Sequence, residues 1–240
     1  MTQREEILAR AFVDVADTLV ADFDVVDFLT VLAMRCVELF ELSEAALLLA
    51  DPQRGLQVAA SSSHEMYVLE LFEVQHEDGP SVDCYRLGEP VLCDDLHTAL
   101  ARWPRFARKA LDSGWTSAHA LPMHLRNDLI GSLNLLRAET GSLPDTDLVA
   151  AQALADVATI GILQHRAAEE HRLLAEQLQY ALHSRVAVEQ AKGVLAEHTG
   201  LDMDDAFSAL RQYARNHNVG LVVLAHAVVE RRIPLAEIRQ

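Results

Sequence analysis

The amino-acid sequence predicts an α+β domain, with an antiparallel sheet flanked by helices, joined by a long coiled-coil helix to an all-α domain of three helices. Three observations lead to this prediction. Short apolar segments separated by turns occupy residues 45–137. Residues from Asp145 to about Glu197 contain no proline and only one glycine before Gly193. After Gly200 the apolar residues recur at helical spacing. The predicted boundaries are 1–145 for the first domain, 146–180 for the connector and 175–236 for the last domain.

The first domain has an order of elements that is typical of an α+β fold. Asp24 is a suitable N-cap for the second helix, because its carboxylate can accept hydrogen bonds from the first turn. The turn Asp51-Pro52 separates two apolar segments, which predicts a hairpin. The predicted elements are helices at Glu5–Ala21 and Val25–Phe40, strands at Ala45–Ala50 and Gly55–Ala60, a helix at Met66–Val74, a helical turn leading into a strand within Gly79–Leu96, a helix around Trp103–Asp112, and strands at Ser117–Leu125 and Leu129–Arg137.

The connector is predicted to be one long helix, or two helices fused end to end, starting after Pro144. Its apolar residues recur every three or four positions, with a change of phase near Glu170-His171. They are Leu154, Val157, Gly161, Leu163, Ala167, Leu174, Leu178, Ala181 and Leu182. This spacing is typical of a coiled coil, and a parallel homodimer is the simplest assembly. The alternative is a single helix packed on its own domain, although one small domain cannot cover a helix of this length.

Three short helices are predicted in the last domain, the first of them being the end of the long helix. Gly200 predicts a left-handed helix end, and Asp202 with Asp205 predicts a capped start for the next helix. The buried stripe of this second helix is Met203, Ala206, Phe207, Leu210 and Ala214. Asn218 is expected to cap the third helix, whose buried stripe is Leu221, Leu224, Ala225 and Val228. Because helices this short are marginal alone, we expect them to pack together around Phe207.

The net charge of −16 is carried by the front of the chain. Residues 1–171 contain 12 Lys and Arg against 28 Asp and Glu, whereas residues 172–240 contain eight of each kind. The tail is therefore neutral by count, so a nucleic-acid site there requires its cations to be gathered on one face. The acidic front part should repel nonspecific polyanions.

Composition disfavours several classes of protein. No run of 18 apolar residues free of charge is present, which argues against a membrane span, and the N-terminal residues lack the apolar core of a signal peptide. The three cysteines, Cys36, Cys84 and Cys93, show no CxxC spacing, which favours reduced thiols over disulfides or a zinc site. We therefore expect a cytoplasmic protein that holds neither a metal nor another cofactor.

The segment from Leu182 to Ala214 carries motifs in a distinctive order, which are Ser184-Arg185, Gln190-Ala191-Lys192-Gly193, Ala206-Phe207 and Leu210-Arg211. In this order and spacing they resemble an ANTAR domain, a small helical RNA-binding module of bacterial transcription antitermination regulators. The resemblance extends through the Asn216–Asn218 turn and the Leu221–Val229 helix. It implies binding to paired RNA stem-loops with hexanucleotide loops, in a way that prevents a terminator hairpin from forming. The chain is then a regulator of nascent RNA and not an enzyme.

Polar residues of this tail are the candidate RNA contacts. Arg185 and Lys192 share one side of a helix with Glu189, and Arg211 lies one turn before Arg215. The resemblance implies that the cations contact phosphates or stack on loop bases, and that amide side chains read base edges. The candidate RNA-binding residues are Arg185, Gln190, Lys192, Gly193, Arg211, Arg215, Asn216 and Asn218. The alternative is a solvated face with intrahelical salt bridges, and for Gly193 it is tight packing between helices.

The segments Gly79–Leu96 and Ala118–Leu136 resemble a GAF domain, a sensor module with an antiparallel sheet flanked by helices. Ligands of this family range from cyclic nucleotides to chromophores and haem, and some members have none, so the fold alone does not supply a function. The candidate residues for a ligand pocket are Met66, Phe72, Trp115 and His119, with core packing as the alternative for each. No receiver-domain pattern is found, and the GAF-like module occupies the place where most ANTAR relatives have a receiver.

Three other functions remain as alternatives. A DNA-binding helix-turn-helix regulator fits two short helices joined by a turn, but the third helix begins with the apolar residues Leu221–Val223, where a recognition helix needs polar ones. A methionine sulfoxide reductase of GAF fold would use Cys84 and Cys93, but the expected third cysteine is missing from Ser113–Ala120. His183 on the long helix is not followed by the ATP-binding region that a sensor kinase needs.

Overall fold

The computed structural model describes residues 3–18 and 24–238. The chain divides into two compact units, residues 1–165 and 166–240. The helices and strands are α1 (Gln3–Thr18), α2 (Val25–Phe40), β1 (Glu44–Asp51), β2 (Gly55–Ser61), α3 (His64–His76), α4 (Pro80–Leu87), β3 (Val91–Cys93), α5 (Phe106–Asp112), β4 (Ser117–Leu125), β5 (Asp128–Arg137), α6 (Asp145–Thr199), α7 (Met203–Asn216), α8 (Leu221–Val229) and a 3-10 turn at Leu235–Glu237. The predicted extension of the first helix to Ala21 lies outside the described residues.

The sheet of the first unit has five strands in the order β2-β1-β5-β4-β3, and each neighbouring pair is antiparallel. The predicted hairpin of β1 and β2 and the predicted pair of β4 and β5 are confirmed. At Gly131 of β5, an added Cβ would lie 1.9 Å from the carbonyl oxygen of Leu48 in β1. A glycine is therefore needed where these two strands approach each other. The observed architecture is the α+β fold that the sequence predicts.

The two faces of the sheet belong to separate hydrophobic clusters, because successive residues of a strand point to opposite faces. Leu47, Leu133 and Leu135 pack with α2 and with the first part of α6. Ala46 and Leu136 pack with α3, α4 and α5. The cap that fixes the start of α2 is the predicted one, since Asp24 accepts hydrogen bonds from the first turn of that helix.

Helix α6 runs for 55 residues, as the lack of proline predicts. Its first part packs on the sheet through Leu154, Ala155, Ala158 and Ile162, which are all fully buried. By length and composition alone, one 18-residue window of α6, with a mean hydropathy of 1.4, is apolar enough to cross a membrane. Half of that window is buried inside the protein. Packing on the sheet thus accounts for the apolar character of this part of the helix.

The middle of α6 has a different environment. From residue 166 to residue 183 every side chain except that of Glu169 is exposed. The exposed side chains include Leu174, Leu178 and Leu182, which belong to the apolar spacing predicted for a coiled coil. These three leucines, which we call the α6 leucine stripe, lie four residues apart and therefore on one side of the helix.

In the second unit the end of α6 packs with α7 and α8. Gly200 adopts a left-handed conformation with φ of 73°, and Asp202 accepts hydrogen bonds from the first turn of α7, both as predicted. More than half of the buried core residues are alanines. The core consists of Ala187, Ala191, Leu195, Ala206, Ala209, Leu210, Ala214, Leu224, Ala225, Val228 and Ile238.

Two predictions about this unit are wrong. Phe207 is only half-buried and Met203 is 43% exposed, so neither belongs to the core. The core between the helices consists mainly of alanines, which permit a short distance between helices, and the Phe207 ring lies at its margin. Asn218 does not cap α8, whose N-cap is Gly220. Asn218 instead has a φ of 52° and ends α7, with the next amide donating to the carbonyl of Ala214.

Two carboxyl groups are buried between α3 and the sheet, at Glu70 and Glu73. Asn134 and Ser81 donate hydrogen bonds to Glu70, and the amide of Val82 donates to Oε1 of Glu73 at 2.9 Å. Burial raises the pKa of Glu70 to about 7. Burial and the neighbouring charge of Glu70 raise the pKa of Glu73 well above its ordinary value. The pair therefore holds at least one proton at neutral pH.

The buried pair makes the stability of the first unit depend on pH. The pKa of Glu70 is about 7 in the folded protein against an ordinary value of 4.5, so the folded state binds this proton more tightly than the unfolded state. The free energy of unfolding should be highest below pH 4.5 and fall as the pH rises to about 7. Glu70→Gln should flatten this fall. Urea unfolding followed by the fluorescence of Trp103 and Trp115 measures it, because both rings lie in the cluster beside α3.

Glu65→Gln is the matched control, because this carboxylate is exposed on the same helix. It should keep the pH dependence of the unmodified protein. An unchanged pH dependence in Glu70→Gln would contradict the role given to the buried pair.

Candidate functional site

Two cations from different helices meet at one aromatic ring in the second unit. Nζ of Lys192 in α6 lies 5.5 Å from the centre of the Phe207 ring, and Cζ of Arg211 in α7 lies 5.7 Å from the same centre. Both distances fall within the roughly 6 Å over which a cation is attracted to a ring face. We call Lys192, Phe207 and Arg211 the cation–ring cluster. The prediction of a core role for Phe207 missed this contact, although the four-residue spacing from Phe207 to Arg211 is the signal for it.

The charges around this cluster are only partly balanced. Lys192 pairs with Glu189, its Nζ lying 3.0 Å from Oε2, and the Lys192 side chain is 14% exposed against 52% for Glu189. The predicted alternative of an intrahelical salt bridge therefore holds for Lys192. It does not extend to Arg185, Arg211 and Arg215, which are exposed and make no ion pair with any residue in the described ranges. Most of the candidate cations thus remain available to an anionic partner.

Gly193 lies inside α6 beside Lys192. Glycine in a helix interior costs about 0.5–1 kcal/mol relative to alanine, so this position needs a reason. An added Cβ here would meet no atom of the described residues within 4 Å. The alternative of tight packing between helices is therefore wrong for Gly193. The residue leaves a bare stretch of helix backbone next to the cation–ring cluster.

A second group of candidate residues lines a depression of about 480 Å³ at the end of α7. Arg211, Arg215 and Asn218 contribute its polar groups, and Val219, Gly220 and Leu221 complete it. Arg211 therefore belongs to both the depression and the cation–ring cluster. Through Arg211, the depression adjoins the cation–ring cluster.

The remaining RNA-contact candidates belong neither to the cation–ring cluster nor to the depression. Arg185 and Gln190 are exposed on α6, and Asn216 is exposed at the last position of α7. Within residues 24–238 no hydrogen bond or ion pair joins these three side chains to Lys192 or Arg211. They are solvent-accessible, and their roles remain predictions.

The four candidate residues for a GAF pocket do not surround one space. Met66 and Trp115 are buried in the cluster beside α3. Phe72 is half-buried at the surface, with Nζ of Lys109 lying 4.5 Å from its ring centre. His119 alternates along β4 with residues of that cluster, so it points to the opposite face of the sheet. The predicted grouping is therefore corrected, because the sheet itself separates His119 from Met66 and Trp115.

The surroundings of Cys84 and Cys93 disfavour the thiolate form. Burial raises the pKa of Cys84 to about 12 and also raises the pKa of the half-buried Cys93. A catalytic cysteine needs the opposite shift, because the thiolate is the nucleophile. Among residues 3–18 and 24–238 there is also no group of three or more His, Cys, Asp or Glu side chains that could hold a metal ion.

Comparisons with protein families agree with both resemblances drawn from the sequence. The GAF domain family matches residues 24–163, and the ANTAR domain family matches residues 176–229. ANTAR domains are an RNA-binding family of antitermination regulators, and GAF domains are sensor modules. No curated protein matches the chain.

Solved structures share the fold of the first unit at low sequence identity. The GAF domain of a phosphoenolpyruvate-protein phosphotransferase from Coxiella burnetii is 16% identical, with a TM-score of 0.56 over 70% of this chain and 96% of that one. The corresponding Acinetobacter domain is 12% identical, with a TM-score of 0.53 over 70% and 97%. Free methionine-R-sulfoxide reductase from Neisseria meningitidis, solved with its substrate, is 18% identical, with a TM-score of 0.53 over 69% and 91%. Identities this low show a shared fold and not a shared activity.

The match of residues 24–163 spans more than half of the chain, and the ANTAR match follows it along the sequence. The chain belongs to the GAF domain family and is a GAF and ANTAR domain-containing protein.

Proposed function

We propose that this protein is a cytoplasmic, homodimeric transcription antitermination regulator. Its ANTAR domain binds paired hexaloop stem-loops in nascent leader transcripts and so prevents terminator formation. The GAF domain, which we place at residues 1–145, senses a signal, supports dimerisation, or does both. We keep residues 146–180 as the connector, of which the largely exposed residues 166–180 are available for a coiled coil, and residues 175–236 as the RNA-binding domain. The observation that carries the proposal is the cation–ring cluster beside the bare backbone at Gly193.

The distribution of charge along α7 supports RNA binding. Asp204 and Asp205 lie in its first turn, whereas Arg211 and Arg215 lie in its second half. Although residues 172–240 have no net charge, one end of α7 is therefore basic. Phosphate neutralisation supplies much of the affinity of a nucleic-acid site. Arginine side chains can also stack on the unpaired bases through which RNA is mainly recognised.

The exposed α6 leucine stripe supports dimerisation. Leu174, Leu178 and Leu182 are each more than half exposed in the single chain. Large apolar side chains in a continuous row on a helix are typical of an interface with another helix. In a homodimer, the same three leucines of a second copy of α6 cover this stripe, as two-fold symmetry requires.

Charge reversal at the cation–ring cluster tests the proposed RNA site. Lys192→Glu and Arg211→Glu should each lower the affinity for an RNA with two adjacent hexaloop hairpins by about ten- to a hundredfold, because each removes a charged contact to RNA. Fluorescence anisotropy with labelled RNA measures the affinity, and circular dichroism checks that helicity is unchanged. Arg166→Glu is the control, because Arg166 is an exposed cation on α6 outside the candidate site.

The same titrations include a scrambled-loop RNA and a duplex DNA. Binding to the hexaloop RNA with no preference over duplex DNA would favour the helix-turn-helix alternative. If both charge reversals bind as tightly as the unmodified protein, the proposed site is wrong.

Gly193→Ala should separate folding stability from RNA binding. Because the added methyl meets open space and alanine favours a helix, the variant should be more stable by about 0.5–1 kcal/mol. Its affinity for the hexaloop RNA should fall at least about fivefold, because the methyl would crowd a partner in contact with the backbone. Thermal melting and anisotropy measure the two effects. A variant that is more stable and binds RNA normally would show that no partner approaches Gly193.

A substitution in the α6 leucine stripe tests the proposed dimer. The unmodified protein should sediment at twice its chain mass of 26.5 kDa. Leu178→Glu should shift the equilibrium towards the monomer, since burying a leucine contributes about 1.5–3 kcal/mol and two copies change at once. Gln179→Glu adds the same charge to the neighbouring position and should leave the dimer intact. Equal sedimentation of both variants as dimers would place the interface elsewhere.

A further inference from the structure

Phe207 lies at a partly exposed position where the fold does not require a large apolar ring. The core of the second unit closes without it, through alanines and leucines of α6, α7 and α8. The ring is half-buried and its described neighbours include two cations, Lys192 and Arg211. Because these two cations come from different helices, the ring is a contact that both of them share.

The contacts with the ring restrict the side chains of Lys192 and Arg211 before any partner binds. Both side chains are long and have many rotamers, and each loses that freedom when it binds a partner. A ring that already holds the two charged groups near one point removes part of this cost before binding. Both charged groups lie within 6 Å of the same ring centre, so the ring limits how far each can move from it.

Glu189 adds a second restraint on Lys192. Both carboxylate oxygens lie within hydrogen-bonding distance of Nζ, at 3.0 and 3.2 Å. Glu189 is more exposed than Lys192, so its carboxylate can swing into solvent while the ammonium stays at the ring. A phosphate can therefore replace the carboxylate without a large movement of Lys192.

We propose that Phe207 is a positioning residue for RNA, whose ring holds Lys192 and Arg211 at a spacing that receives the phosphates of a loop. This inference rests on the proposed RNA-binding function and assigns that surface an organising residue. Phe207 itself does not need to touch RNA. Its effect is to set where two charges stand before RNA arrives.

Three variants of the full-length protein test the proposal with the double-hairpin RNA. Phe207→Leu keeps an apolar side chain and removes the ring, and it should lower the affinity about five- to thirtyfold, because both cation–ring contacts are lost. Phe207→Tyr keeps the ring and should restore the affinity to within about twofold of the unmodified protein. Tyr67→Leu removes an exposed ring from α3 of the first unit and should bind normally.

The salt dependence of binding separates positioning from loss of charge. Phe207→Leu keeps every cation, so the slope of log affinity against log salt should match that of the unmodified protein. Lys192→Ala should reduce the slope by about one. A slope change in Phe207→Leu like that of Lys192→Ala would overturn the positioning role.

The remaining outcomes are also decisive. If Phe207→Tyr binds as weakly as Phe207→Leu, the ring is not the relevant feature and the inference fails. If the unmodified protein prefers the hairpin RNA and Phe207→Leu binds it equally well, only this inference fails. If the unmodified protein binds the hairpin RNA no better than the scrambled RNA, the proposed function fails and this inference fails with it.

Discussion

The structure depends on one uninterrupted helix, because α6 supplies residues to both hydrophobic cores. Its early residues Ala155 and Ile162 pack on the sheet of the first unit. Its late residues Ala191 and Leu195 pack with α7 and α8. A proline anywhere between these segments would remove a backbone hydrogen bond and kink the helix, and the sequence has none there. Neither unit could complete its core without its own part of α6.

Alanine at the helix contacts determines what reaches the surface of the ANTAR domain. Ala191, Ala206 and Ala209 are buried where the helices meet. Small residues at such contacts permit a short distance between helix axes. The Phe207 ring lies at the margin of this contact, where it meets Lys192. Alanines in the core thus favour both close packing of the helices and the position of the cation–ring cluster at their surface.

Periodicity and local turn chemistry predict much of the fold. Asp24 and Asp202 cap the helices that follow them, and Gly200 ends α6 in the left-handed conformation. These features depend on a few neighbouring residues, so the sequence alone contains the information. The predicted order of strands along the chain is likewise observed, since β-hairpin signals are local.

The predictions that failed depend on the distance between helices or on a residue with two competing local preferences. Helical spacing shows that Phe207 lies on the same side as Leu210, but it does not show how close the next helix comes. Asn218 has two local preferences, as an N-cap and as a left-handed helix end, and the sequence does not rank them. Glu70 and Glu73 occupy the buried face of α3 with Met66, where apolar residues are expected. The buried face of α3 has four residues, and two of them are acids. This pattern was the sequence signal for a buried polar cluster.

The net charge of the chain affects the selectivity of the proposed RNA site. A protein of net charge −16 gains no general attraction to RNA, and Glu189 already occupies Lys192 in the free protein. In the proposed complex, contacts at several positions together would have to offset both the long-range repulsion and the loss of this pair. If RNA contacts Lys192, Gly193 and Arg211 together, as we propose, only an RNA of matching shape makes all of these contacts. Placing few cations accurately on an acidic protein thus favours recognition of RNA shape over attraction to RNA in general.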